Sequence, residues 1–294
     1  MSFTSGFIGI MGPPNVGKST LLNRILGEKL AIVSPKPQTT RNRIMGIYHG
    51  EACQMVFVDT PGIHKAQTAL HESMVASAKS VSQEVDLVLV MVEAIRPYDP
   101  EVASLLNHLR TSKKPAFLVI NKIDLAQKEA LLPIMDRYGH AYPLRSIIPV
   151  SALDGEGVET LLDTLRRELK PGPPFFPTDM KTDQSERFMI GEIVREKIYY
   201  LTRRELPYSS AVTVETVEDI PEKGLLSISA CIHVETPSQK KIVIGKGGQM
   251  VKAIGRSARL DLEKLFGVKV YLELRVRVEK NWSRDPKALR RLGY

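Results

Sequence analysis

The sequence predicts two joined domains: an α/β domain with a mainly parallel sheet, followed by a smaller α+β domain. Three observations carry this. Five short apolar runs (7–11, 55–59, 87–92, 116–121 and 147–150) alternate with helical stretches near 18–27, 68–82, 99–111, 126–137 and 157–169, the pattern of buried strands joined by helical crossovers. Lys170 to Asp179 then holds four prolines and one glycine, which neither continue a helix nor enter a central strand. Beyond it the order becomes a helix (about 185–205), strands at 211–217 and 225–235, two helical segments and a strand at 268–278. The boundaries read as 1–170 for the first domain, 171–184 for a Pro-rich linker and 185–294 for the second.

The first strand runs into Gly12-Pro13-Pro14-Asn15-Val16-Gly17-Lys18-Ser19 and the first helix opens with Thr20. This is the pattern G-x-x-x-x-G-K-S/T in the strand–loop–helix setting it requires. The two glycines let successive N–H groups turn toward phosphate oxygens, and the helix adds its positive end. Lys18 would reach the β- and γ-phosphates, and the Ser19 hydroxyl would ligate Mg²⁺.

The strand at 55–59 ends in Asp59-Thr60-Pro61-Gly62, which offers a carboxylate to hold Mg²⁺ through water and a glycine N–H for the γ-phosphate. The polar stretch Pro37-Gln38-Thr39-Thr40-Arg41 supplies a second hydroxyl ligand, with Thr40 preferred over Thr39. Lys18, Thr40 and Gly62 are therefore the candidate catalytic residues. The strand at 116–121 ends in Asn121-Lys122-Ile123-Asp124. A carboxylate at the fourth position accepts from guanine N1–H and its 2-amino group, a pair of donors that adenine lacks. An unpaired buried acceptor costs about 1–3 kcal/mol. Asn121 and the Lys122 stem would hold and cover the base, and the Ser151-Ala152 backbone would meet the guanine carbonyl. The ligand expected is GTP or GDP.

At 294 residues there is room for about two domains. The chain is 43% hydrophobic and 25% charged, a globular composition, and no apolar stretch reaches the ~18 residues of a membrane span. The first residues carry no basic segment, so no signal peptide is expected. Cys53 and Cys231 are isolated and the six histidines show no metal-ligand spacing. A reduced, cytoplasmic protein without zinc or disulfides is expected.

Charge is unevenly placed. Residues 1–186 are neutral, while residues 187–294 carry 21 Lys and Arg against 13 Asp and Glu, the whole excess of +8. A basic second half implies a polyanionic partner, either nucleic acid or an anionic membrane surface. Within it Ile244-Gly245-Lys246-Gly247-Gly248, between two helical segments, has the form of the G-x-x-G loop of a KH domain, which clamps about four nucleotides of single strand. Ile244, Gly245, Lys246, Gly247, Gly248 and Lys252 are the candidate RNA-binding residues.

The whole chain resembles the Era family of bacterial GTPases. The resemblance rests on G-P-P-N-V-G-K-S, P-Q-T-T-R, D-T-P-G-I, N-K-I-D, V-S-A and I-G-K-G-G, and on the tail from Asn281 to Tyr294. It implies an α/β P-loop GTPase domain followed by a type II KH domain. It further implies binding to the 3′ region of 16S ribosomal RNA, a role in small ribosomal subunit maturation, and peripheral association with the inner face of the cell membrane. A monomer is expected. Ile63 follows the D-T-P-G turn where many regulatory GTPases carry a glutamine that orients water, so slow hydrolysis is expected. In related GTPases with P-N-x-G-K-S loops the asparagine, here Asn15, helps coordinate potassium. The reading from a different class is a membrane-linked signalling GTPase; the basic tail residues Arg284, Lys287, Arg290 and Arg291 suit lipid headgroups and RNA phosphates equally, and the G-x-x-G loop, without an obvious use at a membrane, favours RNA.

Overall fold

The computed structural model describes residues 2–33, 40–62, 69–202, 206 and 208–294. The chain divides into two compact units between Asp183 and Gln184.

In the first unit β1 (Thr4–Met11) is followed by α1 (Lys18–Leu26), β2 (Ile44–Gly50), β3 (Cys53–Asp59), α2 (Ala69–Glu84), β4 (Leu87–Glu93), α3 (Pro100–Ser112), β5 (Ala116–Asn121), α4 (Leu131–Ala141), β6 (Ser146–Pro149), α5 (Val158–Glu168) and β7 (Lys170–Pro171). The sheet order is β2-β3-β1-β4-β5-β6, with β7 on the start of β1. The neighbours from β3 to β6 run parallel and β2 lies antiparallel on β3. Burial explains the strand composition. β3, β5 and nearly all of β4 are buried residue by residue, as apolar runs flanked by helices on both faces must be. Val88, Val90, Val92, Leu118 and Ile120 pack with Val102, Leu106 and Leu109 of α3 and with Ile134 and Tyr138 of α4. α1 packs on β2 and β3. The strand order reverses at β1, which puts the loop after β1 at the switch point where ligands bind in such sheets.

The antiparallel strand β2 is absent from the sequence reading. Its two glycines and half-exposed pattern give it neither an all-apolar run nor clean alternation. The linker assigned to 171–184 also needs correction, because its residues through Asp183 belong to the first unit. Proline cannot join a central strand, but it can follow a sheet edge. The Ile47 N–H donates to the Lys181 carbonyl at 2.8 Å, the Thr182 hydroxyl donates to the Met45 carbonyl at 2.6 Å, and His49 bonds the Met180 carbonyl at 2.8 Å. The strap thereby covers the open edge of β2.

The second unit is α6 (Glu186–Leu201), β8 (Ser210–Ile220), β9 (Leu225–Val234), α7 (Pro237–Ile244), α8 (Gln249–Phe266), β10 (Lys269–Val278) and α9 (Pro286–Arg291). The sheet order is β10-β9-β8, with β9 parallel to β10 and antiparallel to β8. Its core joins Ile190, Val194 and Ile198 of α6, Val243 of α7, and Ile254, Ala258 and Leu262 of α8 to Ile228 and Ile232 of β9. α7 starts where Thr236 and Gln239 cap each other's backbone and Pro237 takes the first turn. The basic C-terminal stretch is not a loose tail. Trp282 is fully buried, its indole N–H donates to the Ser209 carbonyl at 3.1 Å, and Tyr294 stacks on it with centroids 5.7 Å apart.

Candidate functional site

The loop after β1 turns on two glycines that space and conformation both demand. Gly12 has φ 149 and a Cβ there would lie 2.6 Å from the Met91 carbonyl oxygen. Gly17 has φ 98 and a Cβ there would strike the Asn121 amide. Between them Asn15 is exposed at φ 63, a conformation asparagine tolerates. Pro13, Pro14 and Val16 complete the curve, and Thr20 follows in the first turn of α1.

Lys18 is buried at this turn, where its ammonium donates to the carbonyls of Gly12 at 3.1 Å and Pro13 at 2.9 Å. Burial lowers its pKa to about 8, against the opposing charge of Asp59. Ser19 Oγ donates to Asp59 Oδ2 at 2.6 Å, Thr40 Oγ1 donates to the same oxygen at 3.2 Å, and the two hydroxyls lie 2.8 Å apart. Residues 21 and 40 positions apart in sequence thus meet at one point. Burial pushes the Asp59 carboxyl up, while Lys18 and the two hydroxyls pull it back down. Its second oxygen, Oδ1, is buried without a hydrogen-bond partner.

The three convergent groups are hard oxygen donors, with no nitrogen or sulfur among them, and one is an orphaned carboxylate oxygen. That donor set suits Mg²⁺. The D-T-P-G turn also closes on the phosphate loop: a Cβ on Gly62 would sit 2.9 Å from the Pro14 nitrogen. Of the same turn, the Thr60 hydroxyl is turned away and donates to the Ile10 carbonyl at 2.9 Å. That bond ties the turn to β1, and Pro61 continues the backbone to Gly62. Ile63 and Thr39 lie outside the described residues.

Across the sheet, Asn121 is 2% exposed. Its amide donates to the Val16 carbonyl at 2.7 Å and its oxygen accepts from the Ala152 N–H at 2.9 Å. Lys122, at φ 63, pairs its ammonium with Glu93. Asp124 sits exposed in the short turn 123–125. The Ser151 N–H donates to the Glu156 carbonyl at 2.9 Å and the Ala152 N–H to Asn121, because buried amides must be paired.

In the second unit Gly245, Gly247 and Gly248 have φ of 73, 57 and 79. A Cβ on Gly245 would strike Met250, whereas one on Gly247 or Gly248 would meet nothing within 4 Å. The outer side of the loop is therefore open, and α8 begins directly behind it. Beside it lies a groove of about 490 Å³ between α8 and β10, lined by Lys252, Arg256, Arg259, Tyr271 and Leu274 among others. Tyr271 is 57% exposed. The sequence reading includes Lys252 but not Arg256, Arg259 or Tyr271. The i, i+4, i+7 spacing of the three cations on α8 is the signal that finds them.

A parallel sheet with a phosphate loop and guanine motifs, joined to an α-β-β-α-α-β unit with a G-x-x-G turn, defines a P-loop GTPase fused to a KH domain. Residues 7–122 match a family described as a 50S ribosome-binding GTPase, and residues 205–283 match a KH domain family. A GTPase Era of Syntrophus aciditrophicus is 54% identical over 99% of this chain and 95% of its own length. One of Geobacter metallireducens is 51% identical over 99% and 98%. The chain belongs to the Era family of GTPases. Among solved structures, a variant of Aquifex aeolicus Era bound to GDP and AlF4− matches with a TM-score of 0.96 at 40% identity, covering 99% of both chains. An Era complex with MgGDPNP and nucleotides 1506–1542 of 16S ribosomal RNA matches with the same score, identity and coverage.

Proposed function

We propose that this chain is a GTP-driven RNA-binding switch. The observation that carries the reading is the convergence of Ser19, Thr40 and Asp59 beside the buried Lys18 ammonium. Gly12 to Thr20 cradle the phosphates, Lys18 neutralises the β- and γ-oxygens, and Gly62 donates its N–H to the γ-phosphate. Ser19, Thr40 and, through water, Asp59 are the residues that would hold Mg²⁺, and the ion when bound would neutralise phosphate charge. Catalysis is then a matter of positioning: Lys18, Thr40 and Gly62 fix the terminal phosphate, and hydrolysis is slow because Ile63 offers no polar group to water. Asn15, exposed at the mouth of the loop, is the ligand through which potassium would add the missing positive charge. Asp124 reads the base, with Asn121 and Lys122 fixing its strand end.

RNA binds on the second unit, where Ile244, Gly245, Lys246, Gly247 and Gly248 clamp the backbone and Lys252 adds charge. The adjoining α8–β10 groove takes the bases, one of them stacking on exposed Tyr271. Likeness to the solved Era complex supports the 3′ region of 16S ribosomal RNA, and with it the small ribosomal subunit, as the target. The membrane-signalling reading draws less support, because an open G-x-x-G loop has no evident use at a membrane, whereas the exposed Arg284, Lys287, Arg290 and Arg291 suit lipid headgroups and RNA phosphates alike. A cytoplasmic monomer, with peripheral membrane contact as a secondary property, is the setting we assign. No helix among the described residues is long and apolar enough to cross a membrane.

Anisotropy titrations with the RNA 1506–1542 fragment and with phosphatidylglycerol vesicles test this reading, using the parent and a Lys246→Asp/Gly247→Asp variant. RNA binding should fall steeply in the variant while GTP affinity holds. Unchanged RNA binding would sink the KH assignment, and vesicle binding without RNA binding would favour the membrane reading. GTP turnover that is equal in potassium and sodium salts would remove Asn15 from its role.

A further inference from the structure

Resting on the GTP reading above, we infer that Arg24 is a positioning residue for guanine recognition, acting through the peptide that joins Ala152 to Leu153. Arg24 lies on the exposed face of α1, six residues beyond Lys18. Its Nε donates to the Ala152 carbonyl at 3.3 Å and its Nη2 donates to the Leu153 carbonyl. The side chain runs along the backbone at Gly155. One guanidinium thus holds two successive carbonyls in a turn more than 120 residues away, with the planar fork geometry that lysine lacks.

The consequence lies in the amides of the same turn. Ser151 N–H donates to the Glu156 carbonyl, Ala152 N–H to Asn121 Oδ1, Asp154 N–H to Ser151 Oγ and Gly155 N–H to the Ser151 carbonyl. Among the described residues, Leu153 N–H is the amide of 151–155 left without an acceptor. A guanine 6-oxo group needs one donor, and this is the donor the turn retains. The carbonyl on the other side of that amide is the Ala152 carbonyl that Arg24 holds. Fixing Ala152 O and Leu153 O fixes the plane of the peptide and with it the direction of Leu153 N–H. The helix that carries the phosphate ligands Lys18 and Ser19 therefore also sets the base-reading turn.

Guanine, hypoxanthine and adenine separate this role from its neighbours. Guanine and hypoxanthine share the 6-oxo group, guanine alone adds the 2-amino group read by Asp124, and adenine lacks both. Dissociation constants for GTP, ITP and ATP, measured for the parent, Arg24→Ala and Arg24→Lys, test the inference. Arg24→Ala should weaken GTP and ITP by about tenfold each, a loss typical of a charge-assisted hydrogen bond, and leave ATP unchanged. The GTP-to-ITP ratio should stay at the parent's value, since Asp124 is untouched, and Arg24→Lys should recover part of the loss. If all three nucleotides weaken equally, Arg24 only supports α1 and the inference is overturned. An unchanged GTP-to-ATP ratio overturns it too. A parent that binds GTP and ATP alike overturns the GTP reading itself, and this inference with it.

Discussion

Asn121 Nδ2 donates to the Val16 carbonyl at 2.7 Å, tying the end of β5 to the middle of the loop after β1. The same side chain accepts from Ala152 N–H at 2.9 Å, so the loop after β1, the end of β5 and the turn after β6 share one buried amide. Asn121→Ala would leave a carbonyl and an amide unpaired, each worth about 1–3 kcal/mol when buried. We expect a loss of about 2–4 kcal/mol in urea unfolding of the first unit, together with weakened GTP binding. Asn121→Ala protein with parental stability would show that the tie is dispensable.

Lys18 yields a pH dependence with a definite sign. Its pKa in the free protein is lowered to about 8 by burial, and phosphate favours the charged ammonium. Below pH 8 the lysine is already protonated and GTP binding takes up no proton there. Above it, binding must recruit a proton, so affinity falls toward tenfold per pH unit. Calorimetric titration between pH 7 and 9, in two buffers of different ionisation enthalpy, should show proton uptake appearing as pH rises through 8. Affinity that is flat across this range would contradict the assignment.

Gln54 is fully buried on β3 and fastens the strap. Its oxygen accepts from the N–H groups of Phe175 at 2.7 Å and Phe176 at 3.0 Å, and its amide donates to the Phe176 carbonyl at 2.8 Å. Gln54→Leu strips all three bonds and leaves backbone groups unpaired. We expect destabilisation of about 2–3 kcal/mol and new protease cleavage between 172 and 183. Uncut protein would mean that the β2 pairing of Lys181 and Thr182 suffices to hold the strap.

Much of this was legible in the sequence because the nucleotide motifs are local. Gly12 to Ser19, Asp59 to Gly62 and Asn121 to Asp124 each end an apolar run, so strand and motif announce one another. The pairing of Ser19, Thr40 and Asp59 follows from the order of those runs. What was not legible depends on tertiary partners. Gln54 reads as a polar interruption until the strap arrives over 120 residues later, and β2 forms only because β3 and the strap flank it. Arg24 is an ordinary helix-surface cation in one dimension. Ser151 and Ala152 stand at a strand end in the sequence, but the partners of their amides, Glu156 and Asn121, are visible only in the fold. Trp282 gives a basic stretch a buried anchor that charge counting cannot detect.

In the switch we propose, nucleotide state in the first unit governs RNA binding by the second. The most direct measurement is the affinity of the whole chain for the RNA fragment 1506–1542, with GDP and with a non-hydrolysable GTP analogue, at several salt concentrations. Tighter binding, several-fold or more, is expected with the GTP analogue. The slope of log affinity against log salt should be about −2 to −3, as expected for about four clamped nucleotides. Equal affinity in both nucleotide states, with RNA still bound at the G-x-x-G loop, would contradict the switch and leave two independent binding units.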